Sequence, residues 1–395
     1  MASEDRPKFA LILQGLNSLT GLILLVILLS CSHRSGQVAE LKTGSDSTYI
    51  HYATRFKMES DSDYIRIRIF NPWQGAEDVV QEWFLIGEGN RIPPGIDSSE
   101  VIRIPVKKII CMSTTHLAMI SALGEASTIS GFSGTKYIYE KSIENMVNNG
   151  LIREIGYENN LNKELILELK PDLLMVYGVG SESASYVEKL QELGIKVFYN
   201  ADYLETDPLG KAEWIKLIGA LYGRDKIADS IFSETEAEYE KLKNFIGRNI
   251  SYYPSVLLGL PYRDTWFISP GNSYISRLIS DAGGNYLWKE TNASAAFPVN
   301  LETVYLKALN ADFWLNAGTA ESRADISAID NRLADLECFR KDNIFNNNRR
   351  MSIGGGNDYW ESGSVNPHLI LEDIATILHP GLFQDRELYY YKNLN

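Results

Sequence analysis

The chain has 395 residues and a formal net charge of −13 at pH 7, which argues against nucleic acid or an anionic membrane surface as an electrostatic partner. Hydrophobic residues make up 45% of the chain and charged residues 23%, as in ordinary globular proteins, and the length favours two or three domains. Three cysteines cannot build a disulfide framework, and five scattered histidines argue against a dedicated zinc site.

The amino-terminal segment has the pattern of an export signal. Basic residues precede a mostly apolar stretch over 11–29, and a Leu-Leu-Ser-Cys sequence follows over 28–31. This pattern resembles a bacterial lipoprotein signal, so residues 1–31 are the predicted signal peptide and lipobox, and Cys31 is the predicted lipidation site. An uncleaved transmembrane anchor is the alternative. Both interpretations place the rest of the chain outside the cytoplasm.

A polar tether over 32–48 is predicted to lead into a β-rich extension over 49–106. Alternating apolar and polar residues over 64–70, and a second β-like run over 82–86, predict strands in this extension. We expect a small antiparallel sheet here without chemistry of its own. From residue 107 onward, short apolar strands alternate with helices, which is typical of a parallel sheet covered by helices.

This α/β alternation occurs twice, in an N-terminal lobe over 107–206 and a C-terminal lobe over 248–395. The segment 207–247 between them is predicted to be one connecting helix, because Asp207 suits the N-cap and Pro208 the first helical position. About 40 residues at a rise of ~1.5 Å would span roughly 60 Å, enough for a strut between two lobes. The alternative is a break near Gly223, with two helices packed inside one larger domain.

The loops at the carboxyl ends of the predicted strands are rich in aromatic, hydroxyl and amide side chains. Open α/β sheets bind ligands at this edge, and the composition suits a sizeable, partly aromatic ligand. The alternative is that these aromatic residues only fill the space between the lobes. The predicted ligand-binding residues are Thr114, Thr115, Tyr137, Tyr177, Arg263, Trp266, Asn357, Asp358, Tyr359, Trp360 and Glu361.

No catalytic site is predicted. His368 lies near Asp358 and Glu361 in sequence, but no nucleophile or oxyanion-binding arrangement accompanies them. We therefore expect a protein that is not an enzyme, with no metal site and no cofactor bound directly.

Several stretches resemble the periplasmic substrate-binding proteins of iron-chelate and vitamin B12 ABC importers, and these are 107–124, 162–175 and 354–383. Three shorter segments resemble sequences of the iron-chelate branch that is found in Bacteroidetes-type lipoproteins. These segments are 357–361, Asn366-Pro367 and 379–383. The resemblance implies an α/β fold of two Rossmann-like lobes joined by a long helix. It also implies a ligand cleft between the lobes and little hinge motion.

The resemblance further implies that a surface carboxylate on each lobe docks to arginines of the permease. Glu164 matches the first-lobe carboxylate, although a glutamate at a helix start is also simply favourable for the helix dipole. Asn272 lies at the matching place in the second lobe and is not acidic. A neighbour such as Glu302 is then the candidate for that contact.

The expected cargo is an iron complex. Residues 358–361 form an Asp-aromatic-aromatic-Glu run, and Ser362 follows it. In vitamin B12 binders an arginine follows the corresponding run, so the serine argues against cobalamin as the cargo. An iron chelate brings its own metal ligands, so aromatic faces, hydroxyls and one or two arginines suffice. Arg263, Arg349 and Arg350 are candidates for contacts with an anionic chelate, or are solvated surface charges.

The sequence thus predicts a periplasmic, lipid-anchored protein that captures a ferric siderophore or other iron complex. It would deliver this cargo to an ABC permease and its ATPase. A haem- or cobamide-binding protein of the same transporter class is the alternative. A two-lobed metallocluster or chelatase-like enzyme is a more distant one, and it would need Cys or His ligands facing the cleft.

Overall fold

The computed structural model describes residues 50–157, 160–178, 188–384 and 386–395. The predicted signal peptide, the lipidation site Cys31 and the tether lie outside these ranges. The α/β alternation also predicts a helix over 182–193, and its first half, 182–187, lies outside them. Within the described ranges, no helix has both the length and the apolar character needed to cross a membrane.

The extension forms a four-stranded sheet in the order β1-β2-β3-β4. Its strands are β1 Phe56–Ser60, β2 Ile65–Phe70, β3 Val80–Gly87 and β4 Val101–Ile104. The first three strands are antiparallel, as predicted, but β4 runs parallel to β3. The all-antiparallel prediction is therefore wrong for β4, because the chain over 88–100 crosses back along the sheet and does not turn in a tight hairpin.

The N-terminal lobe contains a five-stranded parallel sheet in the order β7-β6-β5-β8-β9. Its strands are β5 Ile109–Cys111, β6 Ile129–Phe132, β7 Arg153–Glu154, β8 Leu173–Val176 and β9 Val197–Tyr199. The helices described around it are α1 Thr114–Ala122, α2 Lys141–Asn148 and α3 Lys163–Leu169. The central strands β5, β6 and β8 are buried along their whole length, which explains the uninterrupted apolar sequences of β5 and β8.

The segment between the lobes forms two helices, α4 Pro208–Tyr222 and α5 Asp225–Asn249. Asp207 caps α4 by accepting the Leu209 amide at 2.9 Å, as predicted. Gly223 ends α4 in the left-handed conformation, with φ of 63°. A β-carbon on Gly219 would lie 2.5 Å from that of Ala228, so the two helices pack closely against each other. The prediction of one continuous helix is therefore wrong, and the alternative is right in placing a break near Gly223.

The C-terminal lobe contains a second five-stranded sheet in the order β12-β10-β14-β15-β16. Its strands are β10 Ser255–Leu258, β12 Asn285–Tyr286, β14 Phe313–Leu315, β15 Ile344–Asn346 and β16 Lys392–Asn393. Only β16 pairs in the antiparallel sense. The strands β11 Thr265–Ile268 and β13 Phe297–Asn300 form a separate antiparallel pair. The helices are α6 Tyr274–Asp281, α7 Leu301–Ala308, α8 Arg323–Ile329, α9 Glu337–Arg340 and α10 Pro367–Leu378.

Two buried glutamates attach the extension to the N-terminal end of α4. The carboxylate of Glu213 accepts the amides of 51–53 at 2.8 to 3.0 Å and pairs with Lys216 at 2.9 Å. Glu205, just before α4, accepts the amides of Thr54 and Arg55 at 2.9 Å. All described residues belong to one compact unit, and the residue boundaries expected between extension and lobes remain predictions.

Candidate ligand-binding site

A cavity of about 700 Å³ lies between the two lobes. It is lined by residues that follow β5 and β8 in the first sheet and β10 and β14 in the second. At these places the chain reverses its direction of winding, since β5 lies between β6 and β8, and β10 lies between β12 and β14. Successive loops leave such a point toward opposite faces of the sheet, which opens a crevice at the carboxyl ends of the strands. The cavity is therefore a consequence of strand order.

The N-terminal wall of the cavity contains a buried charge pair. Thr114 and Thr115 begin α1, and the hydroxyl of Thr115 donates to Oδ1 of Asp202 at 3.3 Å. Nζ of Lys211 lies 3.6 Å from Oδ2 of the same carboxylate. Burial raises the pKa of Asp202, and the charge of Lys211 opposes that rise. The two charges balance each other at the edge of the cavity.

Aromatic rings line the cavity from both lobes. Tyr177 and Tyr203 meet edge to face on the N-terminal side, with ring centroids 6.2 Å apart. Tyr359 and Trp360 do the same on the C-terminal side at 4.7 Å. Tyr359 is buried, whereas Trp360 is 52% exposed, so part of its indole ring is open to a ligand. Rings in such a setting bind flat or apolar parts of a ligand.

Residues 109–345, more than half of the chain, match the sequence model of the family named periplasmic binding protein. The chain belongs to this family. Its members are substrate-binding transport proteins, which confirms the prediction that the chain is not an enzyme. The extension lies ahead of the matched region.

Relatives and solved structures agree with this periplasmic binding protein assignment. A lipoprotein of Methanocaldococcus jannaschii, of uncharacterised function, is 28% identical over 354 residues, which cover 83% of this chain and 81% of the relative. A periplasmic heme-binding protein from Pseudomonas aeruginosa has a TM-score of 0.58 at 15% identity, covering 73% of this chain and 98% of that one. An ABC-type Fe³⁺-hydroxamate transport structure from Saccharomonospora viridis has a TM-score of 0.53 at 17% identity, covering 70% and 94%. Their similarity confirms the two-lobed α/β fold.

Several of the predicted ligand-binding residues lie together on the wall of the cavity, and they are Thr114, Thr115, Tyr177, Tyr359 and Trp360. Each follows the carboxyl end of a strand or belongs to the aromatic run near 357–361. Their contact with a ligand remains a prediction.

Other predicted residues form a contact between the lobes, which we call the interlobe junction and define as 136–140 with 354–361. The carboxylate of Glu361 accepts the amides of Tyr139 and Glu140 at 2.9 and 2.8 Å. A β-carbon on Gly356 would lie 2.2 Å from the carbonyl oxygen of Tyr137, so the two backbones touch. Asn357 accepts the Tyr359 amide at 3.0 Å. Tyr137, Asn357 and Glu361 thus hold the lobes or the local turn, and they do not line the cavity.

Three further assignments are corrected by the structure. Asp358 pairs with Arg350 at 2.5 Å and lies outside the cavity wall. Trp266 is completely buried, and its indole N–H donates to the Leu258 carbonyl at 2.8 Å, which makes it a core residue. Arg263 is exposed and lies over the Tyr262 ring at 5.2 Å. None of these side chains reaches the cavity.

Sequence reasoning missed part of the wall, notably Arg55, Asp202, Tyr203, Lys211, Tyr274 and Asn316. Asn316 follows β14 as Tyr177 follows β8, so the rule that located Tyr177 applies to it as well. Asp202 and Tyr203 follow β9 in the same way. Arg55 has no such signal, because it lies in the extension.

The docking candidates Glu164 and Glu302, and Asn272 at the matching place in the second lobe, are all exposed. Glu164 lies in the first turn of α3, whose N-cap Asn162 accepts the Leu165 amide at 2.9 Å. Asn272 is exposed just before α6 and accepts the Ala293 amide at 3.3 Å. The carboxylate of Glu302 pairs with Arg332 at 2.7 Å. A docking role for Glu164, and for Glu302 in place of the non-acidic Asn272, remains a prediction.

Proposed function

We propose that this protein is the substrate-binding component of an ABC importer, that it captures a ferric siderophore or other iron chelate in the interlobe cavity, and that it delivers the chelate to a membrane permease and its ATPase. The observation that carries the proposal is the cavity itself, about 700 Å³ in volume and lined by aromatic and hydroxyl side chains. Its size and composition suit a ligand of some hundreds of daltons. Solved structures with this fold include a periplasmic heme-binding protein and an Fe³⁺-hydroxamate transport protein, which supports an iron complex as cargo.

The donor groups of the wall favour a complete chelate over a bare metal ion. Across the described ranges, no cluster of three His, Cys, Asp or Glu side chains is arranged to hold a metal. A chelate supplies its own ligands to Fe³⁺, so the protein needs to recognise only its outer surface. Apolar contact with Trp360 and hydrogen bonds from Thr114 provide that recognition. Iron is thus cargo in this proposal, and no cofactor is bound directly.

Titration of intrinsic tryptophan fluorescence tests the cargo class. We expect ferric siderophores to quench the soluble protein, residues 32–395, in a saturable way, because the exposed ring of Trp360 lines the cavity. Trp360→Phe should lose most of the quenching while calorimetry still detects binding, because phenylalanine keeps an apolar face. Failure to respond to any ferric siderophore would overturn the proposal. A response confined to haem or to cobalamins would assign the cargo to the alternative class.

We further propose that Cys31 carries the lipid that anchors the protein to the membrane and that Glu164 contacts the permease. Lipoprotein relatives support the first point, and the exposed position of Glu164 supports the second. Mass spectrometry should detect an acylated amino-terminal cysteine, and an unmodified Cys31 would contradict the anchor.

Glu164→Arg should leave ligand affinity intact while uptake through the reconstituted transporter falls. Unchanged uptake would refute the docking role.

A further inference from the structure

The cavity wall includes Arg55, which belongs to the extension and precedes the family-matched region at 109–345. The backbone holds this residue from both sides. Its amide donates to Glu205 at 2.9 Å, and its carbonyl accepts the Phe70 amide at 2.8 Å. The next residue, Phe56, is buried with its ring 4.7 Å from that of Trp214. Arg55 is therefore fixed in place at the cavity without help from its own side chain.

The two acidic groups of the same wall have partners other than the side chain of Arg55. Asp202 pairs with Lys211 and accepts from Thr115. Glu205 accepts from the amides of 54–55 and from the indole N–H of Trp214 at 3.1 Å. Both oxygens of Glu205 thus accept hydrogen bonds, whereas Oδ2 of Asp202 has only the ion pair with Lys211 at 3.6 Å and no hydrogen bond. Neither carboxylate forms an ion pair with the guanidinium of Arg55 in the described part of the chain.

The guanidinium of Arg55 makes no hydrogen bond or ion pair with any residue in the described part of the chain, and it is only partly exposed. Its position is marked by its effect on Tyr203. Burial raises the pKa of Tyr203 to about 12, and the positive charge of Arg55 works against that rise. The guanidinium thus lies close enough to the Tyr203 ring to act on its hydroxyl. It is a partly buried positive charge at the cavity without a counter-charge of its own.

We propose that Arg55 binds an anionic group of the cargo, and that the cargo is a ferric chelate with free carboxylates on its outer surface. The planar guanidinium donates two parallel hydrogen bonds to a carboxylate, a pairing that is stronger and more directional than a neutral hydrogen bond. The extension then has a role in ligand recognition, because it adds this arginine to a cavity wall whose other charges, Asp202 and Lys211, pair with each other. The inference rests on the proposed function and specifies its substrate class.

Calorimetric titration with two probes tests this proposal. Ferric citrate carries free carboxylates, whereas a neutral ferric trihydroxamate carries none. We expect Arg55→Gln to weaken ferric citrate binding at least tenfold, about 1.4 kcal/mol, and to reduce its dependence on salt. Binding of the neutral trihydroxamate should change less than twofold. Arg55→Lys should retain part of the ferric citrate affinity, because it keeps the charge and loses the fork geometry.

Lys57→Gln is the matched control, because Lys57 is an exposed cation of β1 that does not line the cavity. It should leave both affinities unchanged, and all variants should keep the wild-type melting temperature. Equal losses in Arg55→Gln and Lys57→Gln, or no loss in either, would overturn the role of Arg55. Wild-type binding of the trihydroxamate without ferric citrate would also overturn it and leave the proposed function intact. Binding of no ferric chelate would overturn both.

Discussion

Two buried carboxylates, Glu361 and Asp373, each accept hydrogen bonds from backbone amides of a distant segment. Glu361 accepts from 139–140 in the other lobe, and Asp373 accepts from 389–391 near the carboxyl terminus. Burial nevertheless raises the pKa of Glu361 to about 7 and that of Asp373 to about 6, because the loss of water outweighs these hydrogen bonds. Both groups therefore titrate near neutral pH.

We expect the free energy of unfolding to fall as the pH rises from 5 to 8. Folded Glu361 holds its proton up to about pH 7, whereas a glutamate in the unfolded chain releases it near pH 4.5. The stability that comes from this proton is complete below the unfolded pKa and is lost as the pH passes the folded pKa. Urea unfolding measures this free energy at each pH. Between pH 5 and 8 the free energy of unfolding of Glu361→Gln should fall by about 2 kcal/mol less than that of the wild type, because glutamine does not titrate.

Glu100→Gln is the control for this measurement, since Glu100 is an exposed glutamate of the extension. It should keep the wild-type pH dependence. Parallel curves for the wild type and Glu361→Gln would show that Glu361 does not carry the raised pKa.

The role of Glu361 also shows where sequence reasoning stops at this scale. An acid at the end of an Asn-Asp-Tyr-Trp-Glu run is compatible with ligand binding or with a contact to another segment. The partners of Glu361, the amides of 139–140, are more than 200 residues away in the chain. Only the fold brings them together, so no local pattern separates the two roles.

At the scale of elements, the attachment of the extension to α4 depends on Glu213. We expect Glu213→Gln to lower the free energy of unfolding by about 3–5 kcal/mol, because it removes the carboxylate that pairs with buried Lys216. The double variant Glu213→Gln/Lys216→Met should recover part of this loss, since it removes both charges. Chemical denaturation measures each value. A single variant within about 1 kcal/mol of the wild type would contradict this account of the attachment.

The two helices between the lobes show which local sequence signals are sufficient to predict where a helix starts or ends. Asp207 and Pro208 locate the start of α4 correctly, because the cap and the first helical position make distinct local demands. The end of α4 at Gly223 is harder to predict, since apolar residues continue on the same period beyond it. The same sequence is compatible with a left-handed glycine that ends the helix and with a kink inside one longer helix. The close contact of Gly219 with Ala228 decides between these two structures, and it is a tertiary contact that the local sequence does not show.

At the scale of the whole molecule, strand order explains both the cavity and the part of it that could be predicted. Residues after buried strands, such as Thr114 and Tyr177, can be located from the sequence because parallel strands end at one edge. Trp266 belongs to a similar apolar run but lies in the separate β11–β13 pair, and the sequence alone does not distinguish the two sheets. Arg55 reaches the cavity only through the docking of the extension.

The lobes are connected through the α4–α5 pair and also through the interlobe junction. In the junction, a β-carbon on Gly354 would lie 2.1 Å from the Lys136 carbonyl oxygen, so the lobes approach to backbone contact. Opening the cavity widely would break this contact and the hydrogen bonds of Glu361. The arrangement favours a cavity that changes little in shape when a ligand enters.

The most direct test of the central claim is an anomalous difference map at the iron absorption edge. Crystals of the soluble protein would be grown with the ferric chelate that binds most tightly. The account predicts one iron peak inside the interlobe cavity, with the chelate in contact with Trp360 and its anionic edge toward Arg55. An iron peak elsewhere on the protein, or no peak at saturating chelate, would contradict it.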